Sequence, residues 1–385
     1  MPAAEPLPRT EAPLHGLRVI EFTHMVMGPC IGLMMADMGA EVIRVEPEDG
    51  DQTRRLKGSG AGYFAMYNRN KKSVTLNLKS EAGLAAARRL IDGADVVIEN
   101  FRTGTLDRLG LGYNALSKTN PRLIFCAAKG FLSGPYEERT ALDEVAQMMG
   151  GLAYMTGPKG RPLRAGASVI DVTGGMFGVI GILAALEQRH RTGQGQNVQC
   201  SLFETTAFMV GQHIAQGVLT GIAPPPMTER TSAWAIYDLF ETSQGDQVFI
   251  GVVSDAQWRT LCEAFGLDDF AADETLAQNN QRIVARDRIL GRLRPLFKTM
   301  EKATLLATME RIGLPFAPVS TPMDLLDDPH LNAGGFTETV IPHPGHPDAR
   351  RARLPALPIE FNRKRPPAWN DPPAPGQDNN ILLED

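Results

Sequence analysis

Cysteine is scarce: Cys30, Cys126, Cys200 and Cys262 are the only four in 385 residues, with no CxxC pair among them. That spacing offers no zinc ribbon or dithiol motif, so the thiols read as reduced and structural. Positive charge is not in excess either. The net charge is -5 at pH 7, which gives a nucleic-acid or anionic-membrane partner no global electrostatic support. No long apolar run occurs. The longest wholly apolar stretch, MFGVIGILAAL from Met176, is well short of the ~20 residues a membrane span needs. The opening segment MPAAEPLPRTEAPLHG has neither the basic region nor the apolar core of a signal peptide. These absences predict a cytoplasmic protein with no membrane and no nucleic-acid partner. Also missing is a phosphate-binding glycine turn. The first strand runs into THMVMGPC, with no GxGxxG and no P-loop, which argues against a nicotinamide enzyme.

What is present is an alternation of strands and helices. LRVIEF, EVIRVEP, KKSVTLNL, DVVIEN and LIFCAAKG read as apolar strands, separated by helical segments. One of these, EAGLAAARRLID, is introduced by Ser80 as a cap and closed by Gly93. Such alternation predicts an α/β fold with a parallel sheet covered on both faces. From Asp171 a helix apolar on nearly every side reads as buried between layers, stopping at TGQG before the strand NVQCSL. Consecutive prolines in APPPMTE then mark a stiff connector. The predicted division is 1–222 for the first part of a large domain and 223–328 for a small α+β domain with its linkers. That domain includes a hairpin around Gly245–Asp246. Residues 329–385 form a C-terminal segment returning to the large domain, proline-rich and expected to wrap a surface with little fold of its own.

Several residues invite chemistry. Asp171 precedes VTGG at the mouth of the apolar helix. As an N-cap it would simply accept backbone N–H bonds. The same geometry would keep a carboxylate ionised and fixed, with Gly174 and Gly175 letting a substrate approach, as a covalent nucleophile requires. Segment 54–79 carries Arg54, Arg55, Lys57, Arg69, Lys71, Lys72 and Lys79. It reads either as a solvated charged face or as a patch for a phosphorylated ligand. His24 follows the first strand, where α/β folds bind ligands. His190 ends the apolar helix, where a dipole contact explains it. His343 and His346, in HPGHP, lack further ligands, so no metal site is expected.

The segments LHGLRVIEFTHMVMGP, MGAEVIRVE, NRNKKSVTLNLKS, DVVIENFRTGTLDRLGLGY, NPRLIFCAAKGF, ALDEVAQMMGGL and the DxxxG from Asp171 occur together and in this order. In combination they resemble the class III CoA-transferase family, which includes formyl-CoA transferase, carnitine CoA-transferases and α-methylacyl-CoA racemases. The resemblance implies a Rossmann-like large domain, a smaller domain, and an interlocked-ring homodimer. It implies acyl-CoA and a small carboxylic acid as substrates, no permanently bound cofactor, and Asp171 as nucleophile. It assigns CoA contacts to Met27, Leu76, Asn77, Leu78, Lys79, Asn100, Phe101, Arg102, Arg108 and the stretch from Thr140 to Asp143.

Departures from the formyl-CoA transferase pattern concern the substrate. Val26 stands for a glutamine, Pro47 for a CoA-contacting arginine that Arg54 or Arg55 would replace, and Thr140 for a lysine. APPPMTERTSAW occupies the place of a glycine-run loop, which makes oxalate a poor fit. The racemase pattern has a histidine where this chain has Leu142, ahead of Asp143, and leucine cannot carry protons. The expected activity is CoA transfer between an acyl-CoA and a carboxylic acid through an aspartyl-CoA thioester. The alternatives are a racemase-type isomerase and a non-catalytic acyl-CoA binding protein.

Overall fold

A computed structural model describes residues 5–230, 232–341 and 350–383. The chain forms two compact units, Met1–Thr228 with Pro329–Asp385, and Glu229–Asp328. The proline connector belongs to the first unit, where Met227 N–H donates to Met155 O at 2.9 Å.

Six strands build the sheet of the first unit: β1 (Arg18–Phe22), β2 (Glu41–Glu46), β3 (Lys72–Thr75), β4 (Val96–Glu99), β5 (Ile124–Lys129) and β6 (Asn197–Ser201). All pair in parallel, in the order β3-β2-β1-β4-β5-β6. This is the strand order of Rossmann folds. Because side chains alternate along a strand, each strand feeds two cores. Val19, Val42, Val96 and Cys126 pack under α1 (Met27–Asp37) on one face. Ile20, Ile43, Val97 and Phe125 pack under α2 (Glu81–Asp92) on the other. Ser80 caps α2 as its sequence predicts, its Oγ accepting from Gly83 N–H at 3.1 Å. All four cysteines are free and buried.

After β5 come α3 (Asp143–Met149) and α4 (Val169–Thr192), and after β6 come α5 (Leu202–Met209) and α6 (Gly211–Thr220). Helix α4 has 24 residues and ends at Gly193, whose φ of 73° closes it in a left-handed turn. By length and composition alone it could cross a membrane. Val179, Ile182 and Leu186 join the core under the sheet. The expectation of burial on every side fails, however. Met176 is 49% exposed and Ile180 57%.

The C-terminal segment holds more structure than its composition suggested. β10 (Phe336–Ile341) and β11 (Arg350–Pro355) form an antiparallel hairpin. Further on, Asp378 Oδ2 accepts from Ser73 N–H at 2.8 Å and Asn379 Oδ1 from Thr75 N–H at 2.9 Å. These are β3 donors on the open edge of the sheet, so the tail closes an edge that would otherwise template aggregation. His343 and His346 lie outside the described residues.

The second unit is a three-stranded antiparallel sheet, with β7 (Ile236–Glu241) and β8 (Gln247–Val252) as the predicted hairpin and β9 (Phe316–Pro318) beside β8. Helices α7 (Asp255–Ala264), α8 (Arg286–Lys298) and α9 (Lys302–Ile312) cover it over a core that includes Trp258, Leu293 and Phe297.

Candidate active site

In this strand order the chain leaves β1 toward one side and returns through β4 on the other. That reversal opens a crevice beyond the strand ends. Two reciprocal hydrogen bonds bridge it: His24 N–H donates to Asn100 Oδ1 at 3.0 Å, and Asn100 Nδ2 donates to His24 O at 2.9 Å. The cleft beyond them has a volume of about 660 Å³. Its walls are the β1–α1 turn with His24 and Met27, the segment after β4 with Asn100, Phe101, Arg102 and Arg108, and the approach to α3 from Thr140 to Asp143. Asp171 completes the wall. The His24 and Phe101 rings lie 5.7 Å apart.

Asp171 is not an N-cap. It is the third residue of α4, and the capping is done by Asp143 from α3. Asp143 Oδ2 accepts from Ile170 N–H at 2.9 Å and from Asp171 N–H at 3.1 Å. Asp143 is itself held by Gln147, whose Nε2 donates to its Oδ1 at 2.6 Å. Gln147 Oε1 in turn accepts from Ala165 N–H at 2.9 Å. Asp143 and Gln147 are both buried. Asp143 thus lines the cleft while tying the backbone of Asp171, a role its CoA assignment did not anticipate.

The Asp171 carboxylate accepts no hydrogen bond from a described side chain. Burial first, and then the Asp143 charge, push it up to about 7, while Arg164 opposes the shift. The expectation that a helix start keeps Asp171 ionised is therefore corrected. Desolvation and a neighbouring carboxylate outweigh the dipole, because the first-turn donors that would express it are already taken by Asp143. Gly174 and Gly175 are corrected too. They lie inside α4, where their N–H groups belong to the helix ladder. What they admit is helix α1: a Cβ at 174 would stand 2.8 Å from Met27 Cε, and one at 175 would stand 3.2 Å from Met27 O. Donors for a developing oxyanion are offered instead by the start of α1, which no side chain caps.

Leu76, Asn77, Leu78 and Lys79 are not on the cleft wall. Leu76 is buried in the core beneath α2 and Leu78 packs against it, while Asn77 and Lys79 are exposed beyond the end of β3. Most of the basic run 54–79 is committed to ion pairs, while Lys57 and Lys79 stay exposed. Lys71 binds Glu21 at 2.8 Å, Arg69 binds Asp37 at 2.5 Å and Lys72 binds Glu41 at 2.5 Å. Arg54 gives Nε and Nη2 to Glu46 and Nη1 to Pro373 O, and Arg55 pairs with Asp49. Neither arginine reaches the cleft to replace the one missing at Pro47. Sequence reasoning passed over Lys129 and Arg164, both on the cleft wall. Lys129 ends β5, and the carboxyl end of a sheet strand was the available signal. His190 is an exposed neighbour of Glu187 at 3.8 Å.

Known proteins are similar to this chain over most of its length. The family model for CoA-transferase family III matches residues 14–379. The succinate–glutarate CoA-transferase of Agrobacterium fabrum is 34% identical over 343 residues, 86% of each chain. The acetyl-CoA:oxalate CoA-transferase of Acetobacter aceti is 35% identical over 318 residues, covering 81% of this chain and 82% of that one. The crystal structure of a CAIB/BAIF family protein from Brucella suis superposes with a TM-score of 0.83 at 33% identity, over 96% of this chain and 98% of that one. With a Rossmann-ordered sheet, a cleft at its reversal point and matches of this extent, the chain belongs to CoA-transferase family III and is an enzyme of the CoA-transferase type.

Proposed function

We propose that this enzyme moves CoA between short dicarboxylic acids through a covalent aspartyl-CoA thioester on Asp171, and does so in the cytoplasm as a homodimer. The observation that carries the reading is the Asp171 carboxylate, largely desolvated, unpartnered and on the cleft wall. A carboxyl group in that condition marks a functional position more often than a structural one.

The chemistry balances without a cofactor. The ionised Asp171 attacks the thioester carbonyl of the donor, the C–S bond breaks, and a mixed anhydride forms as CoA leaves as a thiolate. The thiolate attacks the aspartyl carbonyl, giving the aspartyl-CoA thioester and freeing the donor acid. An acceptor carboxylate then repeats the steps in reverse. Uncapped N–H groups at the start of α1 are suited to the oxyanions of both tetrahedral intermediates. Arg102 and Arg108, on the segment after β4, are suited to the phosphates of CoA. The dicarboxylate assignment draws on relatives named for succinate, glutarate, oxalate and mesaconate. Leu142, on the cleft wall, gives a racemase no second base. A matrix of acyl-CoA donors and free acids, read by mass spectrometry of the thioesters, tests the reading. Exchange among short dicarboxylates is expected, and a protein that binds acyl-CoA without exchanging it would defeat the proposal.

The dimer has its own support. Phe208 is 74% exposed, Val218 79% and Leu219 86%, continuing the bare face of α4 across α5 and α6. Apolar surface on this scale in a folded chain marks an interface, and a second copy is the occupant we assign. Light scattering should return about twice 41.9 kDa. Leu219→Glu, which puts a charge into that face, should shift the mass toward one chain. A wild type that stays monomeric would refute the assignment.

A further inference from the structure

Cleft cations differ in how far they are already committed. Lys129 is tied to Glu99. Arg139 lies over the Tyr136 ring at 4.8 Å. Arg164 stands apart, because it is fixed without being neutralised. Its Nε donates to Ala165 O at 2.9 Å, and the N–H of Ala165 is bound by Gln147. Gln147 holds Asp143, and Asp143 holds the backbone of Asp171. One hydrogen-bond chain therefore links the backbone that carries Asp171 to the Arg164 guanidinium, and both residues line the same cleft. The only acid paired with Arg164 among the described residues is Glu144, 3.9 Å away and itself 59% exposed in its side chain. Such a contact is weak and readily exchanged. Arg164 lines the cleft, and a planar guanidinium can match a carboxylate in two parallel hydrogen bonds.

We infer that Arg164 is the specificity residue that binds the second carboxylate of a dicarboxylic acid while its first carboxylate reacts at Asp171. The inference rests on the transferase reading above and adds the group that reads the substrate class. A monocarboxylic acid of the same length reaches Asp171 equally well but leaves Arg164 facing Glu144 alone. The discrimination comes from a charge-assisted pair formed only with the diacid. The Asp143–Gln147 pair ties the backbone of Asp171 to that of Ala165, next to Arg164, and so restrains the separation between the reacting carboxylate and its anchor.

The test compares succinate and glutarate with butyrate and valerate as CoA acceptors, for wild type, Arg164→Met and Arg164→Lys. Melting curves check that the variants are folded. Wild type should prefer the diacids. Arg164→Met should lose about tenfold to a hundredfold in kcat/KM for diacids, mostly through KM. Its loss for monoacids should be several-fold smaller, so that the preference collapses. Arg164→Lys should recover part of it. Equal losses for the two acid classes, or a diacid preference that survives in folded Arg164→Met, would overturn the inference while leaving the transferase reading in place. Wild type that exchanges CoA with no acid would overturn both.

Discussion

Asp171→Asn is expected to lower CoA transfer by about a thousandfold or more, because an amide oxygen is a poor nucleophile toward a thioester. The fold should survive, since Asp171 makes no side-chain hydrogen bond that the amide would lose. The variant should even be the more stable protein at neutral pH. In wild type the folded carboxyl is raised from 3.8 to about 7. Well below pH 4 it is protonated in both states and costs nothing. Between about pH 4 and 7 the unfolded chain ionises it freely while the folded protein holds it protonated, so stability falls as pH rises and levels off above 7, where the folded protein buries the ionised group. Asparagine removes that penalty, which is roughly 4 kcal/mol at most. The melting temperatures of the two proteins should coincide near pH 4 and separate by pH 8, with the variant higher. Activity in wild type runs the other way and rises from pH 6 to 8, because only the ionised carboxylate attacks.

Asp143→Asn separates the two reasons for that raised value. Burial remains and the neighbouring charge goes, so the acid limb of the wild-type rate profile should move to lower pH. The amide must also satisfy the N–H groups of Ile170 and Asp171 with its one oxygen, turning its NH2 toward Gln147. Gln147 must then rotate, which sets its own NH2 against Ala165 N–H, now bound to its oxygen at 2.9 Å. The start of α4 loosens, and transfer at pH 8, where Asp171 is ionised in both proteins, should fall about tenfold to a hundredfold from misplacement of the nucleophile. A pH–rate profile and a melting curve read the two effects separately. An acid limb that stays where it was would show that Asp143 has no electrostatic hold on Asp171.

Much of the fold was legible because its signals are local. LRVIEF, EVIRVE and DVVIEN are short β-branched runs broken by polar turns, and Ser80 and Gly93 bracket a helix without help from distant residues. The place of Asp171 on the cleft wall was legible through the combination of motifs around it. Its surroundings were not. Asp143 and Asp171 are 28 positions apart and meet only because α3 folds against the start of α4, so no spacing rule announces that one caps the other. The pairing of Arg54, Arg69 and Lys71 within the basic run was hidden for the same reason. Their partners Glu21, Asp37 and Glu46 lie on β1, α1 and β2, and only the parallel sheet brings them under the charges. A helix apolar all round read as a buried one, whereas α4 has its second face bare, which a single chain's pattern does not distinguish from a core helix.

The central claim is a covalent bond at Asp171. Enzyme mixed with succinyl-CoA in the absence of acceptor, quenched, and treated with borohydride or hydroxylamine should carry its modification on the peptide containing Asp171. Succinate should be released in proportion and CoA retained on the protein before trapping. If intact-mass and peptide analysis find no CoA adduct, and Asp171→Asn transfers CoA at a rate near that of wild type, the aspartyl thioester does not form and this account of the cleft is wrong.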